Sequence, residues 1–147
     1  MKGEYGKFIN INEKDKNYFH IYFNDNKKKE IDNTSLYKDD NVSKISIIID
    51  YQIISFSELF FNCGCIESIK FKKFYRNNVT NMSDMFSGCS SLKELNLNNF
   101  NTNNLTNMSG MLSGCSSLKK ENVKTSSYGK KIFIENILPQ PGPDAFL

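Results

Sequence analysis

Cysteine and histidine are the residues of this chain whose side chains are best suited to nucleophilic or metal chemistry. Three of its four cysteines, Cys63, Cys89 and Cys115, recur at a constant spacing. A column of thiols could form a disulfide or a ladder of metal ligands, because the thiolate attacks sulfur and binds soft metals. Free cysteine is also among the most buried residue types, so we interpret the column as small apolar side chains in a core.

The remaining candidates for catalysis and metal binding are isolated in the sequence. Cys65 forms a Cys-Gly-Cys segment with Cys63, but no second cysteine pair or histidine cluster completes a zinc site. His20, the single histidine, lies in a predicted strand, and pairing it with Cys89 would require the N-terminal residues to fold over the repeats. We therefore predict that the protein is not an enzyme, with no catalytic residue, no cofactor and no metal.

The cysteine spacing belongs to a longer repeat with a 26-residue period. The segment from Asn78 to Phe100 returns from Asn104 to Val123 without a gap. The apolar positions of a weaker copy precede it from Phe56 to Phe74, and a further match at a spacing of 24 starts at Val42. A fixed period of this length is typical of a solenoid, in which each coil buries its apolar face against the next. We predict about four coils over residues 42–125.

Each coil is predicted to contain a short helical turn followed by a short strand. One face of a helix is indicated by the i, i+3, i+4, i+7 spacing of Met82, Met85, Phe86 and Cys89. The following L-x-x-L-x-L segment alternates as a strand does, with Leu95 and Leu97 pointing inward. The predicted fold class is therefore an α/β repeat: a short leucine-rich-repeat-like solenoid with a strand and a short helical turn in each coil.

The N-terminal residues 1–41 do not repeat, and we predict that they form a β-rich cap. Alternating apolar residues indicate strands at Phe8–Ile11 and His20–Phe23, and the turn residues from Asn24 to Lys27 follow the second strand. A solenoid needs such a cap because its open end exposes apolar surface and strand edges.

The C-terminal end of the array departs from the repeat pattern. Glu121 stands where Leu95 stood one period earlier, and a carboxylate that faces a packed core is costly unless it is paired. We therefore expect the last coil to be frayed or to start a cap. Residues 126–147 are predicted to form a C-terminal strand and a Pro-rich tail.

The segment from Asn78 to Val123 resembles the repeat of the BspA-type leucine-rich-repeat surface proteins, a family also seen in mycoplasma lipoproteins and protists. It shares the pattern N-V-T-N-M-S-x-M-F-x-G-C-S-S-L-K-x-L-N-L-x-x-F. The resemblance offers no catalytic motif. It implies a cell-surface or extracellular protein that binds a protein ligand, such as a host or extracellular protein, in adhesion or host interaction.

The outward strand positions are the predicted binding surface, because the exposed sheet face of repeat proteins is commonly where partners bind. A constant period places Asn122 beside Asn96, and Lys124 two periods from Lys72. The alternative is an ordinary solvated face, which is what surface charges usually mean. The predicted partner-binding residues are Lys70, Lys72, Glu94, Asn96, Asn98, Asn122 and Lys124.

Composition and charge limit the classes of partner. The net charge is +3, whereas nucleic-acid binding normally leaves a stronger basic footprint, so we predict no nucleic-acid partner. No apolar run is long enough to span a bilayer and no secretory signal is visible, so a cytoplasmic location stays open. The alternatives to surface adhesion are an intracellular protein-interaction scaffold and a repeat fragment without a function of its own.

Overall fold

The computed structural model of the protein describes residues 4–72, 78–97 and 104–125. Within these residues the chain forms short strands, two 3-10 helices and many turns, but no α-helix. The strands are β1 (Glu4–Lys7), β2 (Phe19–Phe23), β3 (Ser35–Tyr37), β4 (Ile45–Ile49), β5 (Ser68–Lys70), β6 (Glu94–Leu97) and β7 (Val123–Thr125). The 3-10 helices are η1 (Glu13–Tyr18) and η2 (Lys120–Asn122).

The N-terminal part, residues 4–50, is built from two antiparallel strand pairs. β1 pairs with β3, and β2 pairs with β4, with Ile21 opposite Ile47. The turn predicted after β2 is confirmed: Asn24 and Asp25 have φ angles of 51° and 62°. Asn and Asp tolerate this left-handed region because their short polar side chains bond locally.

Only one of the two predicted N-terminal strands is observed at its predicted place. The strand predicted at His20–Phe23 lies within β2 and is confirmed. The strand predicted at Phe8–Ile11 is wrong, since β1 ends at Lys7. Phe8 and Ile9 are nevertheless fully buried, so the apolar pattern identified their burial but not their backbone conformation.

In the repeat part, from residue 51 to residue 125, equivalent residues of successive copies lie side by side in parallel. Copy 1 starts at residue 52, copy 2 at residue 78 and copy 3 at residue 104. β5, β6 and β7 form one parallel sheet, in which Ile69 pairs with Leu95. Isolated parallel bridges join Ser55 to Asn81 and Asn81 to Asn107, and each bridge again spans one period. In these pairs, the two contacting residues are thus one sequence period apart along the chain.

The predicted helical turn of each copy is wrong, and the hydrogen bonds show why. Every second N–H from Met82 to Gly88 donates to a carbonyl of copy 3, as Phe86 does to Met111 at 3.0 Å. The N–H groups between them bond inside the copy, as that of Met85 does to the carbonyl of Met82 at 3.3 Å. An α-helix needs each N–H to bond four residues back along its own chain. Bonding to the neighbouring copy therefore excludes the helix.

Two left-handed residues in each copy accompany this alternation of hydrogen bonds. They lie four positions apart and recur with the period of the repeat. The first column has φ angles between 53° and 65° and consists of Glu58, Asp84 and Gly110. The second has φ angles between 56° and 78° and consists of Asn62, Gly88 and Gly114. Each copy therefore makes the same pair of tight turns.

One hydrophobic core extends from the N-terminal part through all three copies. The inward positions predicted in copy 2 are confirmed from Met82 to Leu97, since none of these is more than 2% exposed, while Phe100 lies outside the described residues. Phe86 lies at the centre of the core: its ring stacks on that of Phe60 at 5.7 Å and meets that of Phe71 edge-on at 6.5 Å. The copies thus contact one another through columns of like side chains.

Asn10 closes the N-terminal end of the stacked copies. In copy 2, the carbonyls of Met85 and Ser87 accept N–H groups from copy 1. Their equivalents one period earlier, the carbonyls of Leu59 and Phe61, accept from Asn10 instead. Its backbone N–H donates to Leu59 and its side-chain amide donates to Phe61, each at 2.8 Å. Asn10 therefore supplies two donors that a preceding copy would supply.

The predicted fold class, an α/β leucine-rich-repeat-like solenoid, is wrong. The described residues form a small β-rich domain with separate sheets of two, two and three strands, and they contain no α-helix. β4, which the sequence aligned with β5 as the first coil, pairs antiparallel with β2. Apolar alternation suits a strand paired in either direction, so the pattern could not identify its neighbour.

The predicted division of the chain at residues 41 and 125 stays a prediction. The predicted C-terminal strand and Pro-rich tail, residues 126–147, lie outside the described residues.

Candidate functional site

The outward residues of β5, β6 and β7 form the candidate binding surface. Along β6, Leu95 and Leu97 are buried while the alternate side chains point outward. The parallel register places Lys70 opposite Asn96, and Asn96 opposite Lys124. Both lysines are exposed. Lys70, Asn96 and Lys124 are called the Lys–Asn–Lys row below.

A two-residue shift in register brings Lys124 into this row. Paired residues of β5 and β6 are 26 positions apart, as Lys70 and Asn96 are. Paired residues of β6 and β7 are 28 positions apart, as Asn96 and Lys124 are. A constant period predicted Asn122 beside Asn96, and that alignment is wrong. Asn122 lies instead in η2, which precedes β7 and accommodates the additional residues.

The same shift removes the unfavourable carboxylate that the constant period placed in the core. Glu121 lies in η2 and is exposed, while Val123 takes the place beside Leu95 and is 7% exposed. A shift of one residue would turn every side chain to the other face, but a shift of two preserves the alternation. Glu121 therefore does not face the core, and the last copy, which we expected to be frayed or to start a cap, contributes β7 as a third parallel strand.

Of two other predicted binding residues of the strand face, the structure describes Glu94 but not Asn98. Glu94 is exposed and lies opposite Ser68, one row closer to the start of the strands. It therefore presents a negative charge next to the Lys–Asn–Lys row. Asn98 lies outside the described residues.

Lys72 is exposed but has a different electrostatic environment from the lysines of the row. Asp25, in the turn after β2, forms an ion pair with Lys44 at 2.9 Å. The hydrogen bond from Lys44 is the main cause that lowers the pKa of Asp25, and the positive charge of Lys72 adds to the effect. Lys72 therefore lies near this turn, whose carboxylate is already paired with Lys44.

The cysteine column is buried and protonated. Cys63, Cys89 and Cys115 are free thiols with no exposed surface. The thiols of Cys89 and Cys115 donate to the carbonyls of Phe60 and Phe86, each at 3.0 Å. Desolvation disfavours the thiolate and raises the pKa of Cys63 and of Cys89 to about 12, and that of Cys115 to about 11. The predicted burial is confirmed, and protonated thiols of this kind are poor nucleophiles.

The fourth cysteine, Cys65, lines a shallow polar depression of about 210 Å³ between β1 and copy 1. Its thiol donates to the carbonyl of Lys7 at 3.3 Å. Desolvation raises the pKa of Cys65, which makes the thiol a weak nucleophile at neutral pH. The other residues around the depression are polar or glycine, and the hydrogen bond of the Cys65 thiol goes to a backbone carbonyl rather than to one of their side chains.

His20 contacts two carboxylates that sequence reasoning did not connect with it. Its Nδ1 lies 2.9 Å from Oε1 of Glu30, and its Nε2 lies 3.1 Å from Oδ2 of Asp50. The hydrogen bonds to Asp50 and Glu30 raise the pKa of His20, against a smaller opposing effect of desolvation. The carboxylates bond opposite edges of the ring, so the three groups join β2 to its neighbours and do not converge on one metal ion. The pairing of β2 with β4 brings Asp50 to His20, and the bridge between Ile21 and Ile31 brings Glu30 to it, so the sequence alone could not reveal the contact.

Neither a cluster of metal ligands nor a membrane-spanning helix occurs in the described parts of the chain. Within residues 4–72, 78–97 and 104–125, no group of three His, Cys, Asp or Glu side chains could hold a metal ion. In the same residues, no helix has the length and apolar character needed to cross a bilayer. The candidate surface does offer positive charge from its lysines and hydrogen-bond donors from both lysine and asparagine.

Residues 54–133 match the family described as "Mycoplasma protein of unknown function, DUF285". The match covers more than half of the chain and includes β5, β6 and β7, and the chain belongs to this family. The family description names mycoplasma proteins but neither BspA nor leucine-rich repeats. The comparison with curated proteins and the comparison with solved structures each found no match.

Proposed function

We propose that the protein is a protein-binding module that acts in adhesion or host interaction at a cell surface, and that it contacts its partner through the Lys–Asn–Lys row and Glu94. The observation that carries the proposal is the register of the parallel sheet, which aligns two exposed lysines and the half-buried Asn96 on one face. The surface role is further supported by the resemblance of Asn78–Val123 to BspA-type surface repeats.

A rigid sheet face is well suited to protein recognition. Neighbouring strands lie about 4.8 Å apart, so the backbone fixes the spacing of the side chains before any partner binds. Binding then costs less conformational entropy than it would for side chains on a mobile loop. The buried residues Leu95, Leu97 and Val123 hold the strands from below.

Site-specific photo-crosslinking tests the proposed surface. A photoreactive amino acid replaces Glu94, which is exposed beside the row, and a control variant carries it at Lys14, which is exposed in η1. Each full chain is irradiated with extracts of surface-biotinylated host cells. The proposal expects a discrete biotinylated adduct from position 94 and none from position 14. No adduct from position 94, or equal adducts from both positions, would overturn it.

Protease treatment of intact source cells, followed by detection with an antibody, tests the location separately. Loss of the protein on intact cells would support the surface role. Protection of the protein until the cells are lysed would overturn that role and favour an intracellular interaction scaffold.

A further inference from the structure

Resting on the proposed function, we infer that the Lys–Asn–Lys row docks an acidic protein segment, with carboxylates of the partner placed against Lys70 and Lys124. The inference concerns the chemistry of the partner, which neither the sequence repeat nor the family description specifies.

The charges of the row are available to a partner. Lys93, which immediately precedes β6, has Glu67 as an ion-pair partner at 3.8 Å. Among the described residues, neither Lys70 nor Lys124 forms an ion pair. An acidic partner therefore gains electrostatic attraction at the row without first breaking an existing pair, and such attraction increases the association rate and fixes the orientation of binding.

The register gives the row a defined spacing. Lys70 and Lys124 are separated by one intervening strand, so their backbones lie roughly 10 Å apart, twice the spacing of neighbouring strands. The carboxamide of Asn96 lies between them. A constant period would instead have placed Asn122 at the third position. The two positive charges on either side of an amide are thus a product of the register shift.

Glu94 distinguishes an acidic protein segment from a continuous polyanion. It is exposed two residues before Asn96 on β6, a distance of about 7 Å along the strand. A nucleic acid or a sulfated polysaccharide carries charge along its whole length, so the charges that it places over Asn96 would be repelled by Glu94. A protein segment can place acidic residues over the row and a neutral or basic residue over Glu94, which is how charge patterns give specificity.

Fluorescence anisotropy on the full chain tests the inference with three labelled probes: a peptide of alternating Glu and Ser, a peptide of alternating Lys and Ser, and heparin. The acidic peptide is expected to bind, and binding is expected to weaken at about 0.5 M salt. The double variant K70E/K124E should lose at least about tenfold in affinity for the acidic peptide. The variant E94Q should bind it more tightly.

The matched control K14E/K38E makes the same change in net charge at exposed lysines of the N-terminal part. It should retain its affinity for the acidic peptide. Circular dichroism and the urea midpoint establish that each variant is folded, and all substituted side chains are exposed, so no loss of stability is expected.

Each unfavourable result has a distinct meaning. Equal weakening in both double variants, or heparin binding that K70E/K124E abolishes as completely as peptide binding, would overturn the acidic-segment inference. If the photo-crosslinked adduct at position 94 forms undiminished in K70E/K124E and at about 0.5 M salt, the binding surface stands and the acidic partner is wrong. If the wild-type row gives no adduct at all, the proposed function itself fails.

Discussion

The N-terminal part and the repeat part pair their strands in opposite ways and are stabilised by different kinds of contact. The N-terminal part is antiparallel, and its ionic contacts each occur once, as that between Lys44 and Asp25 does. The repeat part is parallel, and its contacts recur, as the thiol–carbonyl bonds of Cys89 and Cys115 do. Substitutions in the two parts should therefore have different consequences.

In the repeat part, a side chain in one copy is also part of the packing surface of the next copy. The loss of such a side chain therefore weakens the packing between neighbouring copies and not only one contact. In the N-terminal part, a surface contact can be lost while the strand pairing below it remains. Asn10 connects the two parts, because it belongs to the N-terminal part and donates hydrogen bonds to carbonyls of copy 1.

The largest loss of stability is expected from Phe86→Ala. Phe86 is fully buried and contacts the aromatic rings of Phe60 and Phe71, so the substitution opens a cavity between two copies. A cost of about 3–5 kcal/mol in the free energy of unfolding is typical of such a change. Urea unfolding measures it. Phe23→Ala, at a half-buried ring of the N-terminal part, is the comparison and should cost less; an equal cost would contradict the difference between the parts.

The next effect is expected from Gly88→Ala, with Gly114→Ala as its matched control in copy 3. Both glycines have positive φ angles, of 78° and 74°, so each alanine costs about 1–2 kcal/mol from its backbone alone. A Cβ on Gly88 would also overlap the side-chain amide of Asn62, whereas a Cβ on Gly114 meets its nearest neighbour atom at 3.4 Å. Thermal unfolding should show the greater loss for Gly88→Ala. Equal losses of stability in the two variants would mean that the side chain of Asn62 moves away from the added Cβ at little cost.

Asn10→Ala tests whether the end of the stacked copies needs its cap. The variant keeps the backbone N–H that bonds Leu59 but removes the amide that bonds Phe61. Leaving such a carbonyl without its donor costs about 1–3 kcal/mol if it stays shielded from water. The urea midpoint provides the measurement. Asn12→Ala is the control, because the side chain of Asn12 makes no capping bond to η1 and should be nearly silent.

The smallest effect is expected from the titration of His20. Its pKa is raised above its ordinary value of 6.5, so its contribution to stability is complete below about pH 6.5 and is lost as the pH rises through the raised pKa. The partners Glu30 and Asp50 are partly exposed, and exposed ion pairs contribute no more than about 1 kcal/mol. The urea midpoint of the wild type should therefore fall slightly from about pH 5.5 to about pH 8.5.

His20→Gln should remove most of this pH dependence, whereas Asn17→Ala, at an exposed residue of η1, should keep it. An unchanged pH dependence in His20→Gln would show that another group titrates in this range.

The sequence predicted which side chains of copy 2 are buried better than it predicted their backbone conformation. Burial of Met82, Phe86 and Cys89 was correct, because an apolar pattern reports which side chains avoid water. The helical turn assigned to the same residues was wrong, because the pattern does not report where the N–H groups find their acceptors. Those acceptors belong to copy 3. The binding role of the surface remains a prediction.

The sequence by itself determined the period, the inward columns and the outward polar positions, since burial and alternation are local properties of each copy. The tertiary structure decided which strands are neighbours and in which register. It paired β4 with β2, and it shifted β7 by two residues, so that Val123 replaced Glu121 in the core and Lys124 came beside Asn96. A two-residue shift leaves the alternation intact, so only the competition between valine and glutamate for the buried position selects it.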